Sequence, residues 1–103
     1  MLPDRDKQGF LINLDDWNEG LACEIAKEEC ITITAAHWEI IYILRNFYQT
    51  YTLSPAMRIL VKLVKDQLGA EKGNSIYLLS LFPGSPAKIA SKIAGLPKPT
   101  NCL

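Results

Sequence analysis

The sequence has no long apolar run and nothing at its start that resembles a leader. None of its apolar stretches approaches the roughly 20 residues that a membrane-spanning helix needs. The N-terminal segment 4–7 reads Asp-Arg-Asp-Lys, and it lacks the apolar centre of a signal peptide. We therefore expect a cytoplasmic protein that does not associate with membranes.

Cysteine and histidine are also scarce. The chain has three cysteines, Cys23, Cys30 and Cys102, and one histidine, His37. The cysteines are odd in number and form no CxxC pair, so their spacing predicts neither a disulfide framework nor a zinc site. We expect reduced thiols.

The formal net charge is zero, but the positive and negative side chains are unevenly distributed along the chain. The 11 basic and 11 acidic side chains cancel. However, the charged side chains of residues 1–53 are mostly acidic, and those of residues 54–103 are mostly basic. One interpretation is that exposed helix faces simply need solvated charges. The other is that Lys88, Lys92 and Lys98 steer the C-terminal end toward an acidic partner and favour an anionic sulfur. The charge distribution does not decide between these two interpretations.

The end of the chain carries a cysteine one residue from the terminus. Gly95 is a helix-stop signal, and beyond it Pro97 and Pro99 favour an extended, polyproline-like backbone. At roughly 3.1 Å per residue, the segment 96–103 could reach about 25 Å. We predict a helical body over residues 1–95 and a mobile arm over residues 96–103 that carries Cys102.

Start, stop and periodicity signals divide the body into helices. The predicted segments are a helix from Trp17 to about Glu29, one from Thr34 to about Tyr51, one from Ser54-Pro55 to Gly69, two turns within 74–81, and one from Ser85-Pro86 to Gly95. Gly9–Leu14 alternates weakly, as a short strand would. Since 103 residues with 49% hydrophobic content suffice for one core, we predict a mainly α, single orthogonal domain of about five helices with a short N-terminal β segment.

Short motifs along nearly the whole chain carry a family pattern. They are Gly9-Phe10-Leu11, His37-Trp38-Glu39, Arg45-Asn46-Phe47-Tyr48, Ser54-Pro55-Ala56-Met57-Arg58, Glu71-Lys72-Gly73-Asn74, Leu81-Phe82-Pro83, Pro86-Ala87-Lys88 and the tail from Lys92 to Thr100. Together with the penultimate cysteine they resemble the DsrC/TusE family of small cytoplasmic sulfur carriers. The resemblance implies that Cys102 is the catalytic residue of a sulfurtransferase and accepts sulfane sulfur as a persulfide. It implies neither a metal nor an organic cofactor. Family members usually begin with an extra strand. The resemblance leaves undecided whether this chain forms the corresponding N-terminal hairpin.

One position separates two branches of this family. The branch that serves dissimilatory sulfite reductase has a second cysteine eleven residues before the penultimate one, and this chain has Ser91 there. A serine cannot form a disulfide with Cys102, so the chain resembles the TusE branch. That branch implies an upstream persulfide-donor relay complex and a downstream tRNA 2-thiouridylase that modifies the wobble uridine. A DsrC-type carrier for sulfite reductase is the alternative within the family.

The other candidate residues have plainer interpretations. Cys23 and Cys30 are expected to be small buried side chains of the first helix. His37, near the start of a long helix, is expected to pack or cap rather than to act as a base. Arg58 and Lys62 contact either the arm, a partner or only solvent. The aromatic residues of the long helix are expected to be core; these are Trp38, Phe47, Tyr48 and Tyr51.

A helix-turn-helix DNA-binding regulator is the alternative from another functional class. The predicted helices 34–51 and 54–68 are joined by a tight turn, as in that motif. However, Pro55-Ala56-Met57 offers no base-reading side chains at the start of the second helix, and a net charge of zero does not favour binding to phosphates. We expect no direct DNA binding.

Overall fold

Five α-helices and one short 3-10 helix form the regular structure of the computed structural model, which describes residues 3–99. The 3-10 helix is Leu14–Asp16, and the α-helices are α1 Glu19–Glu28, α2 Ala35–Tyr51, α3 Met57–Leu68, α4 Ser75–Leu81 and α5 Pro86–Ile93. Among these residues, pairing of extended backbone is limited to one antiparallel bridge. The prediction of a mainly α domain with five helices is therefore confirmed.

Asparagine side chains cap the starts of α1 and α4. The Oδ1 atom of Asn18 accepts a hydrogen bond from the Leu21 amide at 2.8 Å, and Asn74 does the same for Tyr77 at 2.8 Å. Each bond satisfies one of the amides that a helix leaves unpaired at its start. Because Asn18 is the cap, Trp17 lies before α1 rather than on it, and the predicted start at Trp17 is wrong.

The predicted start of α3 is wrong as well. Ser54 was expected to cap the helix with Pro55 in its first turn, but the backbone stays extended through Ala56 and α3 begins at Met57. Pro55 is fully buried, and the Ser54 hydroxyl bonds a distant carbonyl instead. Tertiary contacts thus replace the local capping signal. The predicted stop at Gly69 is confirmed, with φ 94° at that residue.

Helix α5 lies at the centre of the fold and packs against each of the other four α-helices. Ala87 and Ala90 have small side chains that let neighbouring helices approach closely, and Ile93 is fully buried. The largest side chains of the surrounding core come from every part of the chain: Phe10, Ile25, Ile40, Ile41, Leu44, Leu60, Leu78 and Phe82. The last turn of α5 is therefore held in place by the whole domain.

The N-terminal segment forms a tight turn rather than a regular strand. The Asp6 amide donates to the Phe10 carbonyl at 2.8 Å, and Arg5 pairs with Leu11 in the single bridge. An ion pair between Arg5 and Glu28 joins this turn to the end of α1, and it lowers the pKa of the Glu28 carboxyl. The β segment expected at Gly9–Leu14 is thus reduced to one bridge at Leu11.

No helix within residues 3–99 is both long enough and apolar enough to cross a membrane.

Candidate functional site at the root of the C-terminal arm

Cys102, the predicted catalytic residue, lies outside the described residues. The structure does describe the segment that leads to it, and we call Ile93–Pro97 the arm root. This segment contains the end of α5 and the first residues of the predicted arm. Its contacts define where the arm leaves the body.

The end of α5 forms a Schellman turn, in which two backbone amides fold back onto the last turn of the helix. The Gly95 amide donates to the Lys92 carbonyl at 3.2 Å, and the Leu96 amide donates to the Ser91 carbonyl at 2.9 Å. Gly95 has φ 75° in this turn. The predicted stop of the helix at Gly95 is confirmed.

Gly95 is also required by a close contact. A Cβ atom at this position would overlap Cδ1 of Trp17 and lie 3.0 Å from the Cβ of that residue. Both approaches are closer than van der Waals contact, and the clash includes the fixed base of the Trp17 side chain. Any residue other than glycine would therefore push Trp17 away from the arm root.

Two side chains bind the remaining carbonyls of the helix end. The Trp17 indole Nε1 donates to the Ile93 carbonyl at 2.9 Å, and Arg45 Nη1 donates to the Ala94 carbonyl at 2.6 Å. The Arg45 guanidinium also lies over the Trp17 ring, 3.9 Å from its centre, in a cation–π contact. With the Schellman turn, all four carbonyls that α5 leaves unpaired at its end have a donor.

The arm itself is anchored beyond the helix. The Ser54 hydroxyl donates to the Pro97 carbonyl at 2.5 Å. Leu96 is only 2% exposed and Pro99 is fully buried, whereas Pro97 and Lys98 are exposed. The described part of the arm thus rests against the body at Leu96 and Pro99, with two exposed residues between them. Mobility of residues 96–103 as a whole stays a prediction.

Arg45 is a half-buried cation that has no acidic partner among residues 3–99. Burial lowers the pKa of its guanidinium below the usual value, but an arginine pKa lies so far above neutrality that the side chain stays charged. No carboxylate among residues 3–99 lies within ion-pair distance of it. Its charge is therefore directed at the Ala94 carbonyl and the Trp17 ring.

A small open cleft of about 280 Å³ lies beside the arm root. Arg45 and Leu96 form part of its wall, together with Leu14, Asp15, Tyr48, Gln49 and Thr52. The cleft shows that Arg45 is reachable from solvent on one side while it holds the helix end on the other.

The lysines that were expected to favour an anionic sulfur differ in their surroundings. Lys92 is largely buried and lies 3.8 Å from Glu29, so part of its charge is already compensated. Lys88 is half-exposed and Lys98 is exposed. Steering by these residues stays a prediction, and Lys98 is the one that belongs to the arm.

Cys23 and Cys30 are both exposed, so the expectation that they are buried is wrong. Cys23 lies on the solvent side of α1. Cys30 follows the end of α1 with φ 61°, inside a Schellman turn closed by a 2.8 Å bond from the Ile31 amide to the Ala26 carbonyl. This left-handed backbone turns the chain and leaves the thiol on the surface.

Cys30 lies at the edge of a second cleft of about 220 Å³, which also includes His37 and Pro83. His37 itself is 7% exposed and fully hydrogen-bonded. Its Nδ1 accepts from the Thr34 amide at 3.1 Å, so the proton is on Nε2, which donates to the Leu81 carbonyl at 2.8 Å. The imidazole joins the start of α2 to the end of α4. The prediction that His37 packs and caps is confirmed.

The aromatic cluster of α2 is only partly core. Trp38 and Tyr48 are half-buried and pack against the core, whereas Tyr51 is 59% exposed. The Phe47 ring packs against the Tyr51 ring in a tilted arrangement, with 4.6 Å between the ring centres and 38° between the planes. The prediction of a core role is thus confirmed for Trp38 and Tyr48 and is wrong for Tyr51.

Arg58 and Lys62 are exposed on α3. Neither forms an ion pair with an acidic residue in the described part of the chain. Whether they contact the arm, a partner or only solvent stays open, and within residues 3–99 both are exposed. In that same range, no group of three or more His, Cys, Asp or Glu side chains is arranged to hold a metal ion.

Trp17 and Arg45, whose side chains bind carbonyls of the arm root, were not predicted as site residues. The sequence pattern predicts Trp17 as the start of the first helix and Arg45 as one residue of a family motif. Their meeting depends on the packing of α2 against α5 and on the hydrogen bond from Trp17 to the Ile93 carbonyl. The glycine at position 95 was the only local signal of a close approach.

Comparison with protein families gives a match over residues 3–103 to the family described as DsrC like protein. A protein named sulfurtransferase TusE homolog from Haemophilus influenzae is 57% identical over 98 residues, which cover 95% of this chain and 90% of that protein. Sulfurtransferase TusE from Yersinia pseudotuberculosis is 54% identical over 100 residues, covering 97% of this chain and 93% of that protein.

Solved structures show the same architecture. The NMR structure of Allochromatium vinosum DsrC aligns with a TM-score of 0.87 and 52% identity, covering 96% of this chain and 88% of that one. The oxidized gamma-subunit of the dissimilatory sulfite reductase (DsrC) from Archaeoglobus fulgidus aligns with a TM-score of 0.85 and 40% identity, covering 98% and 92%.

Proposed function

Because the chain belongs to the family of DsrC-like proteins, we propose that it is a sulfurtransferase that carries sulfur on Cys102. The names of relatives that are 54–57% identical over nearly the full length support this activity. The finer proposal is that Cys102 accepts sulfane sulfur as a persulfide and relays it toward 2-thiolation of the wobble uridine in tRNA. The proposed partners are an upstream persulfide-donor complex and a downstream tRNA 2-thiouridylase.

The reaction is an exchange of one sulfur atom without net oxidation or reduction. The Cys102 thiolate attacks the outer sulfur of a donor persulfide, the sulfur–sulfur bond of the donor breaks, and the donor leaves as a thiolate. Cys102 then carries the outer sulfur, which the next acceptor removes in the same way. An ordinary thiol has a pKa of about 8.5 and is mostly protonated at neutral pH. Activation by the partner is therefore part of the proposal.

One structural observation favours this role. The described chain before Cys102 is hydrogen-bonded at Pro97 and buried at Pro99, so the segment that leads to Cys102 leaves the body at a defined point. A carrier needs a cysteine that can enter another protein's cleft, and ordering a short segment costs less conformational entropy than ordering a long loose one. The arm root supports delivery from a fixed position.

Sulfur transfer between purified proteins tests the proposal. Cys102→Ser is expected to abolish acceptance of sulfur and to keep the fold, since residues near a chain end contribute few buried contacts. Cys23→Ser and Cys30→Ser are the matched controls because both thiols are exposed. They are expected to transfer sulfur at the wild-type rate. Undiminished transfer by Cys102→Ser would refute the proposal.

The alternatives have less support. A DsrC-type carrier for sulfite reductase relies on a second cysteine, and this chain has Ser91, whose side chain is fully buried. The helix-turn-helix regulator finds no support in the family or in the names of the relatives. Steeply salt-dependent binding to duplex DNA would favour the regulator, and a carrier is expected to show none.

A further inference from the structure

We infer that Trp17, Arg45 and Ser54 form a clamp that fixes where the arm leaves the body, and that Arg45 is thereby a positioning residue for Cys102. This inference rests on the proposed carrier function and deepens it. It concerns how the arm is aimed rather than the chemistry of the sulfur.

The three side chains come from separate parts of the chain and bind the same short segment. Trp17 precedes α1, Arg45 lies in the middle of α2, and Ser54 lies between α2 and α3. Their targets are the carbonyls of residues 93, 94 and 97, which fall within five residues of one another. Three independent donors on one segment hold both its position and its direction.

The clamp does more than end the helix. The Schellman turn already stops α5, and a helix end at the surface can leave its last carbonyls to water. Here Trp17 and Arg45 supply donors for those carbonyls from more than 45 residues away in sequence. Ser54 binds the Pro97 carbonyl, which lies beyond any part of the helix. These contacts restrain the arm.

Carbonyls are suitable anchors on this segment. Proline has no amide hydrogen, so Pro97 and Pro99 can be held by hydrogen bonds only through their carbonyl oxygens. The clamp consists of donors alone: an indole N–H, a guanidinium and a hydroxyl. Arg45 suits this role because its charge strengthens the bond to Ala94 and its plane stacks on Trp17.

The clamp limits the reach of Cys102. Counted from the Ser54–Pro97 contact, Cys102 is the fifth residue, and five residues span about 16 Å in an extended, polyproline-like backbone. A chain that was free from Leu96 onward would have seven residues up to Cys102, and these would span about 22 Å. A partner must therefore bring its own sulfur site within about 16 Å of the Ser54–Pro97 contact.

Arg45→Ala tests the clamp by two measurements on the same variant. The first is the NMR order parameter of the Lys98 amide, which is expected to fall below about 0.6 when the segment loosens. The second is protein-to-protein sulfur transfer, whose kcat/KM is expected to fall about tenfold, chiefly through KM, because the thiol is no longer presented in one place. Alkylation of Cys102 by a small reagent should keep its rate; it is measured with Cys23→Ser and Cys30→Ser in the background.

Two further variants serve as controls. Lys65→Ala removes an exposed positive charge from α3 and is expected to leave order parameter and transfer unchanged. Arg45→Lys keeps the charge and a donor but not the planar stacking, and it should restore part of the lost transfer. If Arg45→Ala does not fold, Ser54→Ala removes one hydroxyl from the clamp and is expected to shift both readouts in the same direction.

The possible outcomes separate the clamp from the carrier function. An ordered Lys98 amide in the variant, or unchanged transfer despite a loosened arm, would overturn the clamp while wild-type transfer still supports the carrier. A loss of alkylation that parallels the loss of transfer would also overturn it, since Arg45 would then act on the thiol itself. Failure of the wild-type protein to accept sulfur would refute the carrier function instead. The order parameter needs no sulfur and is unaffected by that result.

Discussion

Helices α1 and α5 end in the same type of turn, yet the two ends differ in every other contact. Both have a left-handed residue, Cys30 after α1 and Gly95 after α5, and both close with two backbone bonds of the Schellman type. After α5, Trp17 and Arg45 bind the last two carbonyls. In the described part of the chain, no amide or side chain donates to the carbonyls of residues 28 and 29 at the end of α1.

The difference indicates that the C-terminal ends of α1 and α5 have different roles. The end of α1 only has to turn the chain, so a surface cysteine in a left-handed conformation is tolerated there. The end of α5 has to hold the segment that leads to Cys102, and it uses a glycine, an indole and a guanidinium for that purpose. Changes at the two ends should therefore have effects of different size and even of opposite sign.

Gly95→Ala is expected to have the largest effect. A side chain at positive φ costs about 1–3 kcal/mol, and displacement of Trp17 by the new Cβ adds about 1–3 kcal/mol of overpacking. We expect the free energy of unfolding to fall by about 3 kcal/mol or more, measured by urea denaturation. Gly69→Ala is the matched control, because Gly69 also ends a helix with φ 94° but a Cβ added there would have no heavy atom within 4 Å. Equal losses in both variants would show that contact with Trp17 is unimportant.

Trp17→Phe is expected to cost less, about 2 kcal/mol. It removes the hydrogen bond to the Ile93 carbonyl, worth about 1 kcal/mol, and weakens the contact with Arg45 by a similar amount. Thermal or urea unfolding measures the loss. Trp38→Phe serves as control, since the Trp38 indole is half-buried but has no hydrogen bond to residues 3–99. A larger loss for Trp38→Phe than for Trp17→Phe would contradict the role assigned to the Trp17 donor.

Cys30→Gly should have a smaller effect of the opposite sign. Cys30 has φ 61° and an exposed side chain, so glycine relieves backbone strain and removes little packing. The greater freedom of glycine in the unfolded chain offsets part of this gain. We expect stabilisation of about 1 kcal/mol or less. A clear loss of stability in this variant would mean that the end of α1 is held by its cysteine side chain.

Ser91→Cys is expected to change stability least, by less than about 1 kcal/mol, because its buried hydroxyl has no hydrogen-bond partner among the described residues. Its effect should appear on mild oxidation instead. The variant should form an intramolecular disulfide with Cys102 if the arm folds back until the two Cα atoms are within about 7 Å.

Wild-type protein should form only dimers or mixed disulfides through Cys102 under the same conditions. Gel mobility without reductant and thiol counts measure both proteins. A monomeric, oxidised wild-type chain that has paired Cys102 with Cys23 or Cys30 would contradict the single-cysteine carrier.

Local signals predicted most of the fold. The start of α5 at Ser85-Pro86, the start of α2 after Thr34 and the stops at Gly69 and Gly95 all agree with the structure. These signals act within one helical turn, through a proline that fits the first turn or a glycine that accepts positive φ. A sequence read in short windows is sufficient for them.

Distant contacts explain what the sequence did not predict. Ser54-Pro55 reads like Ser85-Pro86, but Ser54 binds the arm and the helix starts later. Cys30 follows an apolar helix face, but the Schellman turn leaves it on the surface. The family motifs pointed to Cys102, whereas the contacts of Trp17 and Arg45 with the arm root appear only once α2 and α5 are packed together.

The central claim, that Cys102 carries the sulfur, is tested most directly by mass spectrometry. Wild-type protein is incubated with a persulfide donor without reductant, and its intact mass and peptide masses are measured. The account predicts the added mass of one sulfur atom, located on Cys102 and removed by a thiol reductant. Sulfur located on Cys23 or Cys30, or a chain that acquires none, would contradict it.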